Sequence, residues 1–410
     1  MLRRLNSLFW VLFLLSAVVA STAAAQTLNT LYVFTGGTDG ANPMGRLVAD
    51  KAGNLYGIAR NGGMIGNLCP EGCGTVFELS PSGSAWTFQV IYSFTGANGD
   101  GMNPWGLTID AKGNLFGVTT WGGNSDISVC GANSCGTVFE LSHGASGWSE
   151  KIIYDFQGGT ADGALPFTNI AIDGAGNLYG TALWGGTGTQ GCYGNGCGVV
   201  WELSPTASGQ WKSKIIHNFL GRSNGMSPWG LTLTAAGDIY GATNFGGNAQ
   251  RGTVYKLSKG KFGWVGGVIY RLSANPILGY LPQGPVGVDA AGNVLVAAMS
   301  PNATVFELTP SSNGYQEQTI VSFPQNAPSP LDGIFMDSAG NIYGSTDTSV
   351  FQLSMTSGTY GLSTIATFQG SNMPADPSGA VLVDSQGNLF GTAEGGLGTA
   401  KNGAIWELTP

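Results

Sequence analysis

The segment NGAIWELTP, residues 402–410, ends the chain and decides the fold, because it is the last copy of a recurring phrase. Earlier copies read CGTVFELSP at 73–81, CGTVFELSH at 135–143 and CGVVWELSP at 197–205. An aromatic residue and an apolar run, such as WSEKIIYDF at 148–156, follow each earlier copy, whereas nothing follows Pro410. The last unit therefore lacks its second half, which must come from elsewhere in the chain.

The repeated unit carries a marker, Gly-Asn or once Gly-Asp, followed by apolar or aromatic residues. Its seven copies begin at Gly53, Gly113, Gly176, Gly237, Gly292, Gly340 and Gly387. Each copy contains four short segments in which apolar and polar residues alternate, as in β-strands, and none has a helical period. Such a repeat is typical of a propeller blade, so the sequence predicts an all-β, seven-bladed β-propeller of four-stranded antiparallel blades.

The fourth strand of the last blade is predicted to come from the other end of the chain. Six copies have an aromatic start and an apolar end eight residues apart, at Trp86/Phe94, Trp148/Phe156, Trp211/Phe219, Trp264/Leu272, Tyr315/Phe323 and Tyr360/Phe368. The seventh match is TLYVF at residues 30–34. We expect it to pair with the strand ending at Leu408, because closing the ring in this way removes two exposed sheet edges.

Residues 1–25 are predicted to be a cleaved signal peptide, which leaves 26–410 as the propeller domain. Arg3 and Arg4 precede a short apolar core, and Ala23 and Ala25 form a small-residue cleavage site. The alternative is a retained membrane anchor, although the apolar run is short for a span. We therefore expect a secreted or periplasmic protein that is not inserted in the membrane after cleavage.

The charge balance excludes some partner classes. Without Arg3 and Arg4, the chain carries 14 basic residues against 24 acidic ones, a net charge near −10. This balance argues against nucleic acid and anionic membrane surfaces as partners. The 68 glycines recur at fixed places between β-branched and aromatic runs, which indicates turns and not low complexity.

Six cysteines fall in three local pairs: Cys69/Cys73, Cys130/Cys135 and Cys192/Cys197. In an exported chain, this spacing predicts three disulfides, each closing a loop between the second and third strands of a blade. Thiolate metal sites are the alternative, but the spacing is not that of CxxC and only two histidines are present. These loops vary between blades, and we expect function on the face that carries them.

Aromatic residues collect on the same face at two repeated positions. Trp121, Trp184 and Phe245 precede Gly-Gly in blades 2 to 4, and Trp105, Phe167 and Trp229 follow the proline of the inter-blade link. Rings flanked by glycine and asparagine suit stacking against sugars, so these tryptophans and Phe245 are candidate ligand-binding residues. The other interpretation is that they pack between blades, as a propeller requires.

Aspartates of the links form a second candidate set, at Asp39, Asp100 and Asp162, with Asn224 at the corresponding position of blade 4. Oxygen-rich glycine loops suit calcium, but one carboxylate per loop is too few for a self-contained site, so a turn role is preferred and no cofactor is expected. Another set lies at Asp50, Asp110, Asp173, Asp289, Asp337 and Asp384. We interpret these as residues that accept N–H bonds within tight turns.

The pattern of titratable residues shows no assembled catalytic set. His217 replaces a tyrosine of the fourth strands, His143 lies in a hairpin, and no Ser/His/Asp triad can be built from the spacing. A paired-carboxylate glycosidase stays open, because propellers bring distant acids together. Repeated third-strand glutamates are better explained by architecture; they are Glu78, Glu140, Glu202, Glu307 and Glu407.

The motif GNLYGTALWGG at 176–186 with GCGVVWELSP at 196–205, and F-x-G-x-x-D-G-x-x-P before the blades, resembles the Gloeo-Verruco (GloVer) tandem repeat. Proteins that carry it are called choice-of-anchor GloVer-containing proteins. The resemblance covers nearly the whole chain after residue 25 and is strongest in blades 1 to 4. It implies an exported bacterial repeat protein, often with a C-terminal sorting tail that this sequence does not show, and it implies no catalytic residues.

We expect a monomeric envelope or secreted module that binds an extracellular glycan or protein on its disulfide-bearing face, rather than an enzyme. The alternatives are a polysaccharide hydrolase or lyase on the same scaffold, and a structural envelope component without a ligand.

Overall fold

The structure is a computed structural model. It describes residues 26–192, 194–273, 280–300, 303–323, 331–337, 339–356, 358–369, 373–396 and 401–410. The predicted signal peptide at 1–25 lies outside these ranges. Two short helical turns occur within these ranges, Ile127–Cys130 and the 3₁₀ turn Gly131–Asn133. Within the described ranges, no helix combines the length and the apolar character that crossing a bilayer requires.

Seven antiparallel blades form a closed ring, in which each blade contacts the next and blade 7 contacts blade 1. Blade 1 contains Ala41–Ala49, Leu55–Asn61, Thr75–Ser82 and Ala85–Ser93; blade 2 contains Gly101–Ile109, Leu115–Gly122, Thr137–Gly144 and Gly147–Asp155. In blade 3 the first strand has two pieces, Gly163–Pro166 and Ala171–Ile172, followed by Leu178–Gly185, Val199–Pro205 and Trp211–Asn218. Blade 4 contains Met226–Leu233, Ile239–Phe245, Thr253–Gly260 and Gly263–Arg271.

The remaining blades repeat this order. Blade 5 contains Tyr280–Pro282 and Gly287–Val288 as a two-piece first strand, then Val294–Ser300, Thr304–Ser311 and Gly314–Ser322. Blade 6 contains Leu331–Met336, Ile342–Thr346, Ser349–Thr356 and Thr359–Thr367; blade 7 contains Ala375–Val383, Leu389–Gly395, Ala404–Thr409 and Thr27–Val33. The predicted fold, an all-β propeller with seven four-stranded blades, is confirmed.

Blade 7 is completed by the first described strand, Thr27–Val33, as the unfinished last repeat predicted. Thr27 lies opposite Thr409, and Tyr32 lies opposite Ile405. The pairing continues past the strand, because the N–H of Phe34 donates to the carbonyl oxygen of Gly403 at 3.0 Å. The ring is therefore closed by hydrogen bonds between the two ends of the described chain.

The turns between first and second strands are held by the repeated aspartates. In blade 1, Oδ1 of Asp50 accepts the N–H groups of Ala52 and Asn54 at 2.8 and 2.9 Å. Its Oδ2 accepts Nδ2 of Asn54 at 2.8 Å, and Gly53 has a φ of +86°, which glycine adopts without strain. The same bonds form at Asp110, Asp173, Asp289, Asp337 and Asp384. The predicted turn role of these residues is confirmed, and we call the face that carries them the turn face.

A glycine in most second strands makes room for the aromatic ring of the third strand. A Cβ on Gly57 would lie 2.4 Å from Cζ of Phe77, and one on Gly180 would lie 2.2 Å from the indole of Trp201. These rings are buried between neighbouring blades and form the largest side chains of the core. The Gly-Asn-apolar-aromatic-Gly pattern therefore specifies both a turn and the space that a ring fills.

The first strands meet around the propeller axis and close it. One residue of each blade forms a ring there, and we call this set the axial ring: Gly45, Gly106, Asn169, Gly230, Gly284, Gly333 and Gly379. A Cβ on Gly106 would lie 2.4 Å from Oδ1 of Asn169, and one on Gly230 would lie 2.7 Å from the backbone of Gly284. The cavity left at this level measures about 20 Å³, enough for about one water. The axial ring therefore separates the two ends of the channel.

Candidate functional site

The disulfide-bearing face, opposite the turn face, carries the three loops that join second and third strands in blades 1 to 3. Each predicted disulfide forms, with Cα–Cα distances of 5.1 Å for Cys69–Cys73, 5.3 Å for Cys130–Cys135 and 5.1 Å for Cys192–Cys197. The six cysteines are thereby all paired.

One groove on this face lies between the loops of blades 3 and 4 and has a volume of about 400 Å³. We call it the blade 3/4 groove; its lining consists of Trp184, Gly191, Cys192, Asn195, Gly196, Met226, Ser227, Phe245 and Gln250. This volume lies within the range of small-ligand sites. Two of the candidate aromatic residues, Trp184 and Phe245, are thus brought to the same cavity.

The two rings are presented by equivalent strand ends. Trp184 lies opposite Ala164 near the end of its strand, and Phe245 lies opposite Met226 at the end of its own. A Gly-Gly pair follows each ring. A Cβ on Gly185 would lie 2.1 Å from the carbonyl oxygen of Asp162. Only glycine therefore fits at this position, where the chain leaves the blade. The local sequence therefore fixes where each ring sits.

The groove has an aromatic wall and a sulfur-rich floor. Phe245 is 44% exposed, and Trp184 is partly exposed. Met226 and Cys192 are almost fully buried, and Sγ of Cys192 lies 3.9 Å from Sδ of Met226. The disulfide Cys192–Cys197 therefore supports the surface under the rings.

The polar groups of the groove are amides and a hydroxyl, and none of its nine lining residues is charged. The backbone at Asn195 is fixed, because its carbonyl oxygen accepts the N–H of Gly185 at 2.7 Å. Nε2 of Gln250 donates to the carbonyl oxygen of Gly247 at 3.2 Å. A shallower depression of about 540 Å³ shares Gly191 and Gln250 and extends the groove towards Arg222.

The other candidate aromatics have different surroundings. Trp105 is only 4% exposed, and its ring stacks on Phe167 with 3.8 Å between centroids. Phe167 meets Trp229 edge-on at 4.8 Å, and the guanidinium of Arg60 lies 5.6 Å from the Phe167 centroid. Trp105 is therefore buried rather than offered to a ligand, and these three rings cover the axial ring from the disulfide-bearing side. Trp121 is partly buried against the core between blades 1 to 3.

The link aspartates are engaged by their own loops. Asp39 accepts bonds from the Tyr32 hydroxyl at 3.0 Å and from the N–H of Thr35 at 2.7 Å. Asp100 accepts the N–H and the hydroxyl of Thr95, both at 2.7 Å. Asp162, 8% exposed, accepts the Tyr154 hydroxyl at 2.9 Å and two N–H groups at 2.8 Å. These contacts favour the turn interpretation over a ligand or calcium role.

No three histidine, cysteine, aspartate or glutamate side chains in the described ranges lie close enough together to hold a metal ion. His217 is packed edge-on against Phe219, and burial lowers its pKa. Its position confirms that it substitutes for an aromatic residue of the strand.

Several groove residues were missed from the sequence. Met226, Asn195 and Gln250 come from a first strand, a disulfide loop and a loop of the next blade, and no repeat register unites them. Ser227 and Gln250 have positive φ values of +55° and +56°, which their residue types do not predict. The sequence signals that pointed to this region were the aromatic residues Trp184 and Phe245 and the cysteine pair Cys192/Cys197.

Comparisons with known proteins agree with the architecture. The family model described as the Gloeobacter/Verrucomicrobia repeat matches residues 16–193 and 127–353. No curated protein resembles the sequence closely enough to count as a match.

Solved structures share the fold at low sequence identity. Virginiamycin B lyase from Staphylococcus aureus is 11% identical with a TM-score of 0.57, over 94% of this chain and 99% of that one. A protein from Lactobacillus plantarum is 11% identical with a TM-score of 0.52, over 79% and 84%. A candidate 6-phosphogluconolactonase from Bacteroides fragilis is 12% identical with a TM-score of 0.53, over 84% and 95%. At such identities the likeness concerns the fold alone.

Proposed function

This chain belongs to the Gloeobacter/Verrucomicrobia repeat family, and from that premise we propose that it is an exported binding module that holds a neutral glycan in the blade 3/4 groove. The repeats supply the rigid scaffold, and the variable loops between second and third strands supply the site. In this proposal the protein is monomeric and acts at the cell envelope or outside the cell.

The observation that carries the proposal is the pair of accessible rings, Trp184 and Phe245, on the walls of an uncharged groove. An indole or phenyl face can cover the C–H face of a sugar ring, while nearby polar groups accept and donate bonds to its hydroxyls. Asn195, Ser227 and Gln250 supply such groups in the same groove. The lack of charge among the nine lining residues favours a neutral sugar over a uronate or a phosphate.

The disulfide beneath the rings supports a binding role. A ligand site that is already ordered loses less conformational entropy when it binds. Cys192–Cys197 joins the two sides of the loop that carries Asn195, and it contacts Met226 on the neighbouring blade. Three disulfides are also typical of proteins from oxidising compartments, which supports export.

Binding of neutral oligosaccharides to the chain from residue 26 tests the proposal. We expect a glycan array followed by calorimetry to identify a neutral ligand. Trp184→Ala and Phe245→Ala should each weaken binding at least about tenfold, equivalent to about 1.4 kcal/mol.

Two variants control this experiment. Phe262→Ala removes a ring that is 94% exposed in the last hairpin of blade 4, on the turn face, and should not change affinity. Trp121→Ala removes the ring at the equivalent position of blade 2, outside the groove, and should also leave affinity unchanged. Equal losses in all four variants would contradict the assigned site.

The alternatives give different results in the same samples. Release of reducing ends, or of unsaturated sugars, from a polysaccharide panel would identify a hydrolase or a lyase instead of a binding module. The absence of both binding and turnover across the panel would favour a structural envelope component.

A further inference from the structure

A second cavity lies on the axis at the turn face, and we call it the axial vestibule. Its volume is about 300 Å³, and its lining includes residues from the first strands of all seven blades, together with the connections between the two pieces of that strand in blades 3 and 5. The axial ring closes its inner end, with Asn169 among the lining residues. The vestibule is therefore a closed-end pocket, separate from the disulfide-bearing face.

Arg46 is the only charged residue among those that line the vestibule. Its guanidinium reaches over blade 6 and stacks on Phe335, with Cζ 4.0 Å from the ring centroid. Nε is buried and has no hydrogen-bond partner, and no carboxylate among the described residues forms an ion pair with this arginine. Burial lowers the pKa of Arg46 to about 10, so the group is still a cation at neutral pH.

A guanidinium whose Nε is buried without a partner or a counter-charge is costly, because part of its hydration has been removed and not replaced. The chain carries more acidic than basic residues, so a carboxylate partner could have been provided from many positions. A second buried polar atom, Oδ1 of Asn169, also lacks a hydrogen-bond partner at the closed end. Arg46 and Asn169 both line the same cavity, so polar groups of the protein that lack partners are concentrated around it.

The rest of the wall defines the body of a molecule that fits this cavity. The wall is mostly aliphatic, with two threonines, Thr108 and Thr232, among residues such as Val48, Leu107, Leu231 and Ile334. A single arginine provides one positive charge and a planar fork of donors that matches a carboxylate. The volume lies at the small end of known ligand sites.

We propose that the axial vestibule binds a small amphiphilic carboxylate. Its carboxylate group pairs with Arg46, and its apolar part packs against the apolar side chains that line the vestibule. The site does not share residues with the blade 3/4 groove, and it stands whether or not that groove binds a glycan.

The test compares 4-phenylbutyrate and octanoate with their neutral amides by calorimetry and thermal unfolding at pH 7. Both carboxylates should bind with one site per chain and raise the Tm, whereas the amides should bind at least tenfold more weakly. Inorganic phosphate and acetate carry a negative charge but no apolar chain of comparable size. They should bind at least tenfold more weakly than octanoate. Equal binding of acid and amide, or no binding of either acid, would overturn the proposal without any variant.

Variants then assign the site. Arg46→Met should abolish the carboxylate-induced Tm shift and raise the Tm of the ligand-free protein, because it removes an uncompensated charge. A lower ligand-free Tm with an unchanged carboxylate shift would show that Arg46 only packs on Phe335. Arg46→Lys should retain binding with reduced affinity. The control Arg60→Met, at the other end of the axis, and Trp184→Ala should both leave carboxylate binding unchanged.

Discussion

At the scale of single residues, a tyrosine near the end of a fourth strand joins that strand to the following link. The hydroxyls of Tyr32 and Tyr154 donate to Asp39 and Asp162 at 3.0 and 2.9 Å. In the link before blade 4 both partners change, since His217 replaces the tyrosine and Asn224 replaces the aspartate. Asn224 still accepts a backbone N–H, from Leu220 at 3.0 Å. The hydrogen bond within the loop is therefore kept. The carboxylate and the tyrosine hydroxyl that donates to it are both absent from this link.

Glu150 shows how such buried contacts couple stability to pH. It is half-buried between the fourth strands of blades 1 and 2, accepts a bond from Tyr92, and has one oxygen without a partner. Burial, with the nearby charge of Asp100, raises the pKa of Glu150 to about 7. The folded protein therefore binds more protons than the unfolded chain between pH 4.5 and 7, and this residue makes stability fall as the pH rises through that window.

We predict that Glu150→Gln raises the free energy of unfolding at pH 8 by about 1–2 kcal/mol, after allowance for its partial exposure. At pH 4 the wild-type carboxyl is protonated, so the variant should then match the wild type. Chemical denaturation across pH 4 to 8.5 measures the difference. A pH-independent difference would contradict the pKa assignment. Glu317→Gln should also raise the free energy of unfolding at pH 8, because burial raises the pKa of Glu317 as well.

At the scale of strands and loops, the disulfide loops differ in what they support. Cys192–Cys197 lines the blade 3/4 groove, whereas Cys69–Cys73 closes a loop of the same kind in blade 1, away from it. The two therefore form a matched pair for separating stability from binding.

We predict that replacing Cys192 and Cys197 together by serine lowers the free energy of unfolding by about 2 kcal/mol and weakens glycan binding about tenfold. The corresponding change of Cys69 and Cys73 should lower stability by a similar amount and leave affinity unchanged. Denaturation and calorimetry on both variants give the comparison. Equal losses of affinity would show that the effect is global.

The elements were largely predictable from the sequence, because each depends on local chemistry. The turn at Asp50–Asn54 needs a side-chain acceptor and a glycine of positive φ, and both residue types can be recognised in the sequence. The axial vestibule could not be predicted in this way. Arg46 and Phe335 are far apart along the chain and meet only because seven first strands converge on one axis. Trp105 and Trp184 were both candidate ligand-binding residues, yet Trp105 is buried against Phe167 whereas Trp184 lines a groove.

At the scale of the whole molecule, the strand Thr27–Val33 closes the ring and also packs on blade 1. The ring of Tyr32 stacks on Phe88 with 3.7 Å between centroids, and Phe34 is buried against Phe77. It therefore contributes to two blades at once.

We predict that deleting residues 26–34 costs more than about 5 kcal/mol, since it removes a buried phenylalanine, a stacked ring and a full strand of hydrogen bonds. The variant should aggregate through the exposed edge at Ala404–Thr409. Size-exclusion chromatography and thermal unfolding detect both effects. A permuted chain that carries residues 27–34 behind Pro410 through a short linker should restore the monomer. A deletion variant that is monomeric with an unchanged Tm would contradict the closure.

The shared blade also imposes an order in time. Thr27 and its partner Thr409 are separated by 382 residues. A ribosome that adds about 5–20 residues per second takes roughly 20–80 s to reach the second after the first. During that interval this strand can pack on blade 1 but has no strand to pair with, so blades 1 to 6 can form early while blade 7 must wait. A chaperone that holds this strand until its partner is made would therefore protect an unpaired edge during that interval.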